Sequence, residues 1–161
     1  MFPEITTCSS PPSSPWPTSP CRGTAGGEKP DKVMDAALGL AGIKNGLAAA
    51  LTKAALLRNL DISGKLGCLD AEGMAEMRKG KAPTVRRGPY KGDQLSVDNI
   101  IPRAACPELD NVIANLELMP LRMNESKNDK IGDRQRDMAK KFYQAGLLSD
   151  NGLNVVDSAA R

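Results

Sequence analysis

Asp98, Asn99, Asn115, Asn124 and Lys127 are the side chains whose types and spacing suit chemistry in this chain. Asp98 and Asn124 each offer a hard oxygen, which suits a divalent cation such as Mg²⁺ that keeps several waters and binds a substrate phosphate. The chain contains no histidine, so an ion that prefers imidazole gains nothing here. Each residue also has an ordinary reading. Asp98 can simply end a strand or cap a turn, Asn115 and Asn124 are common turn and cap residues, and Pro102 is loop punctuation. Only the set points to chemistry.

The set has an order. Val97-Asp98-Asn99-Ile100-Ile101-Pro102 is followed by Pro107-Glu108-Leu109-Asp110-Asn111, then Asn115-Leu116, then Asn124-Glu125-Ser126-Lys127. Asn115 and Asn124 are nine residues apart, and Asn124 and Lys127 are three apart. From about Gly88 to Lys130 the chain resembles the HNH (ββα-metal, His-Me finger) endonuclease module. In that family Asp-His, two aliphatics and a proline close the first strand. Asn-Leu opens the second strand, and Asn-x-x-Lys lies on the helix that follows.

The resemblance implies that Asp98 and Asn124 converge as ligands of one divalent metal, Mg²⁺ or Mn²⁺. Asn115 then holds the inter-strand loop, and Lys127 faces the phosphate backbone or supports the helix. The implied activity is metal-dependent hydrolysis of phosphodiester bonds in double-stranded DNA. Asn99 stands in the place of the family's general-base histidine. A neutral carboxamide has no nitrogen that accepts a proton near neutral pH, and loss of a positioned base costs about 10²–10⁴-fold in rate. Three outcomes follow: slow cleavage assisted by a carboxylate such as Glu108 or Asp110, nucleic-acid binding without cutting, or a purely structural module. The family's zinc-knuckle cysteines are absent, with Pro120 and Met123 at the corresponding positions. Val97, Ile100, Ile101, Leu116, Leu118 and Leu121 are then expected to hold the scaffold by packing.

Charge adds a second feature. The net charge is only +3, yet Arg78, Lys79, Lys81, Arg86, Arg87 and Lys91 cluster between Met77 and Gly92 with no acidic residue among them. Such a cluster either attracts a polyanion or is a solvated loop. Arg86, Arg87 and Lys91 are the candidate nucleic-acid contacts there, Arg103 is another beyond the first strand, and Arg134, Arg136, Lys140 and Lys141 are candidates on a later helix. The four cysteines show no C-x-x-C spacing, which argues against a zinc ribbon and for isolated thiols. Neither a signal peptide nor a membrane-spanning stretch is evident, so a cytoplasmic protein with no membrane partner is expected.

The elements that must position these residues read as an α+β fold, a mainly helical domain with a small ββα-metal (HNH) hairpin-helix module. Residues 1–30, rich in Pro, Ser, Thr and Gly, are expected to be a disordered arm. Residues 31–80 form a helical region with Asp31 as N-cap. A helix is expected over about 44–60, ending before Asp61, and a short one from an Asp70 cap to Lys79. Residues 81–147 hold the module, with strands at Gln94–Val97 and Leu116–Met119, a short helix after Pro120 to about Lys130, and another capped by Asp133 with Met138, Phe142 and Ala145 on one face. Residues 148–161 read as a flexible tail.

Overall fold

The computed structural model describes residues 28–43, 46–127 and 130–159. Cys8, Cys21 and nearly all of the expected arm lie outside them. The described residues form six α-helices and a two-stranded antiparallel sheet, an α+β arrangement. In chain order these are α1 (Pro30–Leu40), α2 (Leu47–Lys65), α3 (Ala71–Arg78), β1 (Leu95–Asn99), β2 (Leu116–Pro120), α4 (Leu121–Ser126), α5 (Asp133–Gln144) and α6 (Asp150–Ser158). No described helix is long and apolar enough to cross a membrane.

Local signals account for several boundaries. Asp70 caps α3, its carboxylate accepting from Gly73 N at 2.7 Å. Gly80, at φ +72°, takes the chain out of that helix. Helix α1 starts two residues earlier than expected: Lys29 is its N-cap and Pro30 its first residue, because proline's fixed φ suits that position. Asp31 instead sits in the first turn, where it and Asp35 pair with Lys53 of α2 at 2.8 and 2.7 Å. At α5 the cap is Gly132, whose N–H donates to Gln135 Oε1 at 3.2 Å, and Asp133 is the first helical residue.

Tertiary contacts decide where propensity is weak. Helix α2 runs through Asp61-Ile62-Ser63-Gly64 to Lys65, five residues beyond the expected end at about 60. Ser63 there is buried and donates back to Asn59 O at 2.8 Å, so its hydroxyl does not compete with the helix. The same stretch of α2 covers the outer edge of β2. Asn59 Nδ2 and Arg58 Nη2 donate to Leu116 O, each at 3.0 Å, while Asn59 Oδ1 accepts from Leu118 N at 3.1 Å. One carboxamide thereby meets both backbone groups that an added strand would satisfy, which protects an otherwise open edge.

Two cores flank the hairpin. The larger joins Ile101, Cys106, Leu109 and Ala114 of the loop between β1 and β2 to Ala139 and Phe142 of α5, Leu148, and Val156 of α6. The smaller joins Cys68, Val85 and Leu95 to Leu66, Tyr90 and Leu118. Ile100 and Ile101 are fully buried as expected, but Val97 is 56% exposed and is not part of the scaffold packing.

The expected tail over 148–161 is also corrected. Ser149 caps α6, accepting from Gly152 N at 3.1 Å, and Val156 is completely buried. A β-carbon at Gly152 would collide with Glu108 and Leu148, so only glycine lets α6 approach the loop this closely. Glu108 reinforces the junction by accepting from Ser149 Oγ at 2.7 Å and Ser149 N at 3.2 Å.

Candidate metal and phosphate site

The hairpin register pairs Asp98 with Glu117 and Asn99 with Leu116, so Ser96 and Asp98 project from the same face of β1. Helix α4 follows β2 directly, with Pro120 as its N-cap, and Leu121 N donates to Gln94 O at 2.8 Å. That tie brings α4 onto β1. Asn124 Nδ2 lies 3.3 Å from both Ser96 Oγ and Val97 O. A carbonyl oxygen can only accept, so the amide nitrogen faces the strand and Oδ1 is directed away from Val97 O. Lys127, the C-cap of α4, sets its ammonium on Asp98 Oδ2 and, at 2.9 Å, on Asn99 O. Helix α4 thus sets Asn124 against Ser96 and Val97, and Lys127 against Asp98 and Asn99, on the same strand.

Asp98 and Glu117 are like charges directly opposite each other, an arrangement that is unfavourable unless each is neutralised. Each has its own cation. Lys127 takes Asp98, while Arg134 forks onto Glu117 with Nη1 at 3.0 Å from Oε2. Arg58 adds a second guanidinium, its Nε 3.3 Å from Glu117 Oε1. Burial lowers the Arg58 pKa, and the Glu117 hydrogen bond raises that of Arg134. Glu117 is therefore a structural counterion. Its position opposite Asp98 depends on the register, which residue spacing alone does not provide.

Asn99 sits where β1 gives way to the loop. Its Nδ2 donates to Asp110 Oδ1 at 3.2 Å, and its Oδ1 is buried without a hydrogen-bond partner. Arg103 Nε lies 3.5 Å from Asp110 Oδ2 on an otherwise exposed side chain. Of the two carboxylates considered as helpers, Asp110 is beside position 99, whereas Glu108 is committed to Ser149 and α6. Asn115 is completely buried. Its Oδ1 accepts from Ile101 N at 2.8 Å, and its Nδ2 donates to Ile101 O at 3.1 Å and Leu109 O at 3.2 Å. Its backbone O also accepts from Ile100 N at 2.8 Å. Asn115 clasps both ends of the loop and reaches no solvent.

The basic residues divide into structural and free ones. Arg86 is surrounded by Asp70 (2.9 Å), Glu72 (2.8 Å) and Glu76 (3.4 Å), and so pins the chain after Val85 to α3. The Gly73 N–H holds the Asp70 carboxyl below its usual range, and the Thr84 N–H does the same for Glu76. Arg87 and Lys91, in contrast, have no ion pair among the described residues. They lie on a tight loop closed by Val85 N to Asp93 O (2.7 Å) and Gly92 N to Val85 O (2.8 Å). Lys140 and Lys141 are exposed on α5, and Arg136 is taken up by Ala159 O at 2.8 Å.

A metal can be tested against this donor set. Asp98 has a carboxylate that Lys127 already holds, Asn124 turns its amide nitrogen rather than its oxygen to β1, and the described residues contain no group of three or more His, Cys, Asp or Glu side chains able to hold an ion. Such a set fits a hard cation that retains most of its waters, rather than an ion caged by protein. No protein-family model, no curated protein and no solved structure matches the chain.

Proposed function

We propose that the chain is an HNH-type endonuclease, a metal-dependent phosphodiesterase acting on double-stranded DNA, with turnover weakened by Asn99. The observation that carries this reading is that α4 lays both Asn124 and Lys127 on β1, Lys127 directly on Asp98, while a buried Asn115 clasps the loop that follows the strand. The hairpin and α4 correspond on this reading to the ββα-metal module. Asp98 and Asn124 would hold Mg²⁺ or Mn²⁺, which supplies charge stabilisation on the scissile phosphate and leaving oxygen. Asn99, with no nitrogen that accepts a proton, does not serve as the general base. Arg87, Lys91 and Arg103 offer charge to the DNA backbone, which positions a duplex without reading its sequence. This reading puts the protein in the cytoplasm.

The second reading, a non-catalytic nucleic-acid-binding module on the same fold, is favoured by the carboxamide at position 99. A supercoiled-plasmid assay separates the two. Slow nicking in Mg²⁺ or Mn²⁺, abolished in Asp98→Ala, is the expected outcome for the enzyme. Absence of nicking together with salt-dependent DNA binding leaves the binding module. Absence of both, even at low salt, removes nucleic acid from the function.

A further inference from the structure

We infer that Lys127 is a built-in competitor for the cation at Asp98, so that the site carries its own positive charge until a divalent ion displaces the ammonium. The inference rests on the proposed cation site and adds a control on its loading. Three observations support it. The Lys127 ammonium bridges the Asp98 carboxylate and Asn99 O, both on β1, which are oxygen donors of the kind a hard cation prefers. Lys127 and Asp98 are only 26% and 23% exposed, so the pair is partly withdrawn from solvent and is screened less than a surface pair. Arg134 and Arg58 are already committed to Glu117, the carboxylate opposite, so Lys127 alone balances Asp98 among the described residues.

An ion arriving at Asp98 must therefore remove a tethered ammonium before it gains the carboxylate. The displaced lysine remains at the end of α4, beside the site, where its charge is free for a phosphate oxygen. Cation and phosphodiester then reinforce each other's binding, because each favours the arrangement in which Lys127 has left Asp98.

Mn²⁺ binding to the full chain, followed by loss of the free-ion electron paramagnetic resonance signal, tests this without reference to turnover. Lys127→Met is expected to bind Mn²⁺ about fivefold more tightly than the parent, the scale set by removing one partly exposed ion pair, and Asp98→Asn is expected to lose the site. If Lys127→Met binds no more tightly while Asp98→Asn still loses the ion, Lys127 is no competitor and the cation site stands. If neither the parent nor Lys127→Met binds, the cation site itself fails and this inference with it. A measurement on the parent alone avoids any folding defect in the variant. Acetylation of Lys127 by a mild amine-directed reagent, read by mass spectrometry, is expected to rise several-fold when Mn²⁺ is added. Lys65, 74% exposed on α2, serves as the unchanged reference. Equal labelling of Lys127 with and without the ion overturns the displacement.

Discussion

Asn99→His is expected to raise plasmid nicking in Mg²⁺ by about 10²–10⁴-fold, the usual contribution of a positioned general base. One partner for an imidazole is already in place. Asn99 donates to Asp110 Oδ1 at 3.2 Å, and its other side-chain atom is buried without a partner. An imidazole at this position can give one N–H to Asp110 and keep its second nitrogen as the acceptor, since the hydrogen bond to one ring nitrogen sets the tautomer. Asp110→Asn, introduced beside Asn99→His, is expected to reverse part of the gain by loosening that orientation. Initial nicking rates for the parent, the single variant and the double variant decide the matter. No gain in the single variant means that more than a base is missing.

Asn115→Ala is expected to lower folding stability by about 3–5 kcal/mol, since it leaves Ile101 N, Ile101 O and Leu109 O without partners in the interior, and each stranded buried group costs about 1–3 kcal/mol. Against a total of about 5–15 kcal/mol for a domain, that is a large fraction. Urea or thermal denaturation measures it. The effect reaches beyond stability because Asn115 clasps the loop carrying Asp110, Leu109 and Ile101, which ties position 99 to the larger core. A loss below about 1 kcal/mol, the net worth of one ordinary hydrogen bond, would show that the loop holds its shape by apolar packing alone.

Much of this architecture is legible in the residues, and the exceptions have physical reasons. Strands β1 and β2 follow from short alternating runs, although β1 extends to Asn99 rather than Val97 and β2 takes in Pro120, one residue beyond the expected Met119. The Asp70 cap of α3 is a local interaction and can be recognised locally. Helix α6 is obscured by Gly152 in its first turn, a residue that reads as loop until the close approach of Glu108 and Leu148 is seen. The end of α2 is set by contacts across the fold, from Asn59 and Arg58 to β2, and no window of sequence contains both partners. Val97 alternates correctly, but alternation does not reveal whether anything covers its face.

The candidate site divides in the same way. The types of Asp98, Asn115, Asn124 and Lys127 can be read from motif and spacing, as can the consequence of Asn99. Their couplings cannot. The partner of Asp98 is Lys127 rather than solvent, and Arg86 looks like one more free cation until three carboxylates from around α3 are found to enclose it. Glu117 becomes important only through the register that sets it against Asp98.

The most direct measurement is paramagnetic broadening of backbone amide signals by substoichiometric Mn²⁺ in the full chain. Broadening centred on Ser96, Val97, Asp98 and Asn124 is the result expected if the end of β1 and α4 share a hard cation. Broadening confined to Asp70, Glu72 and Glu76, where carboxylates are denser but already bound to Arg86, would mean that the hairpin and its helix hold no metal and do no phosphodiester chemistry of this kind.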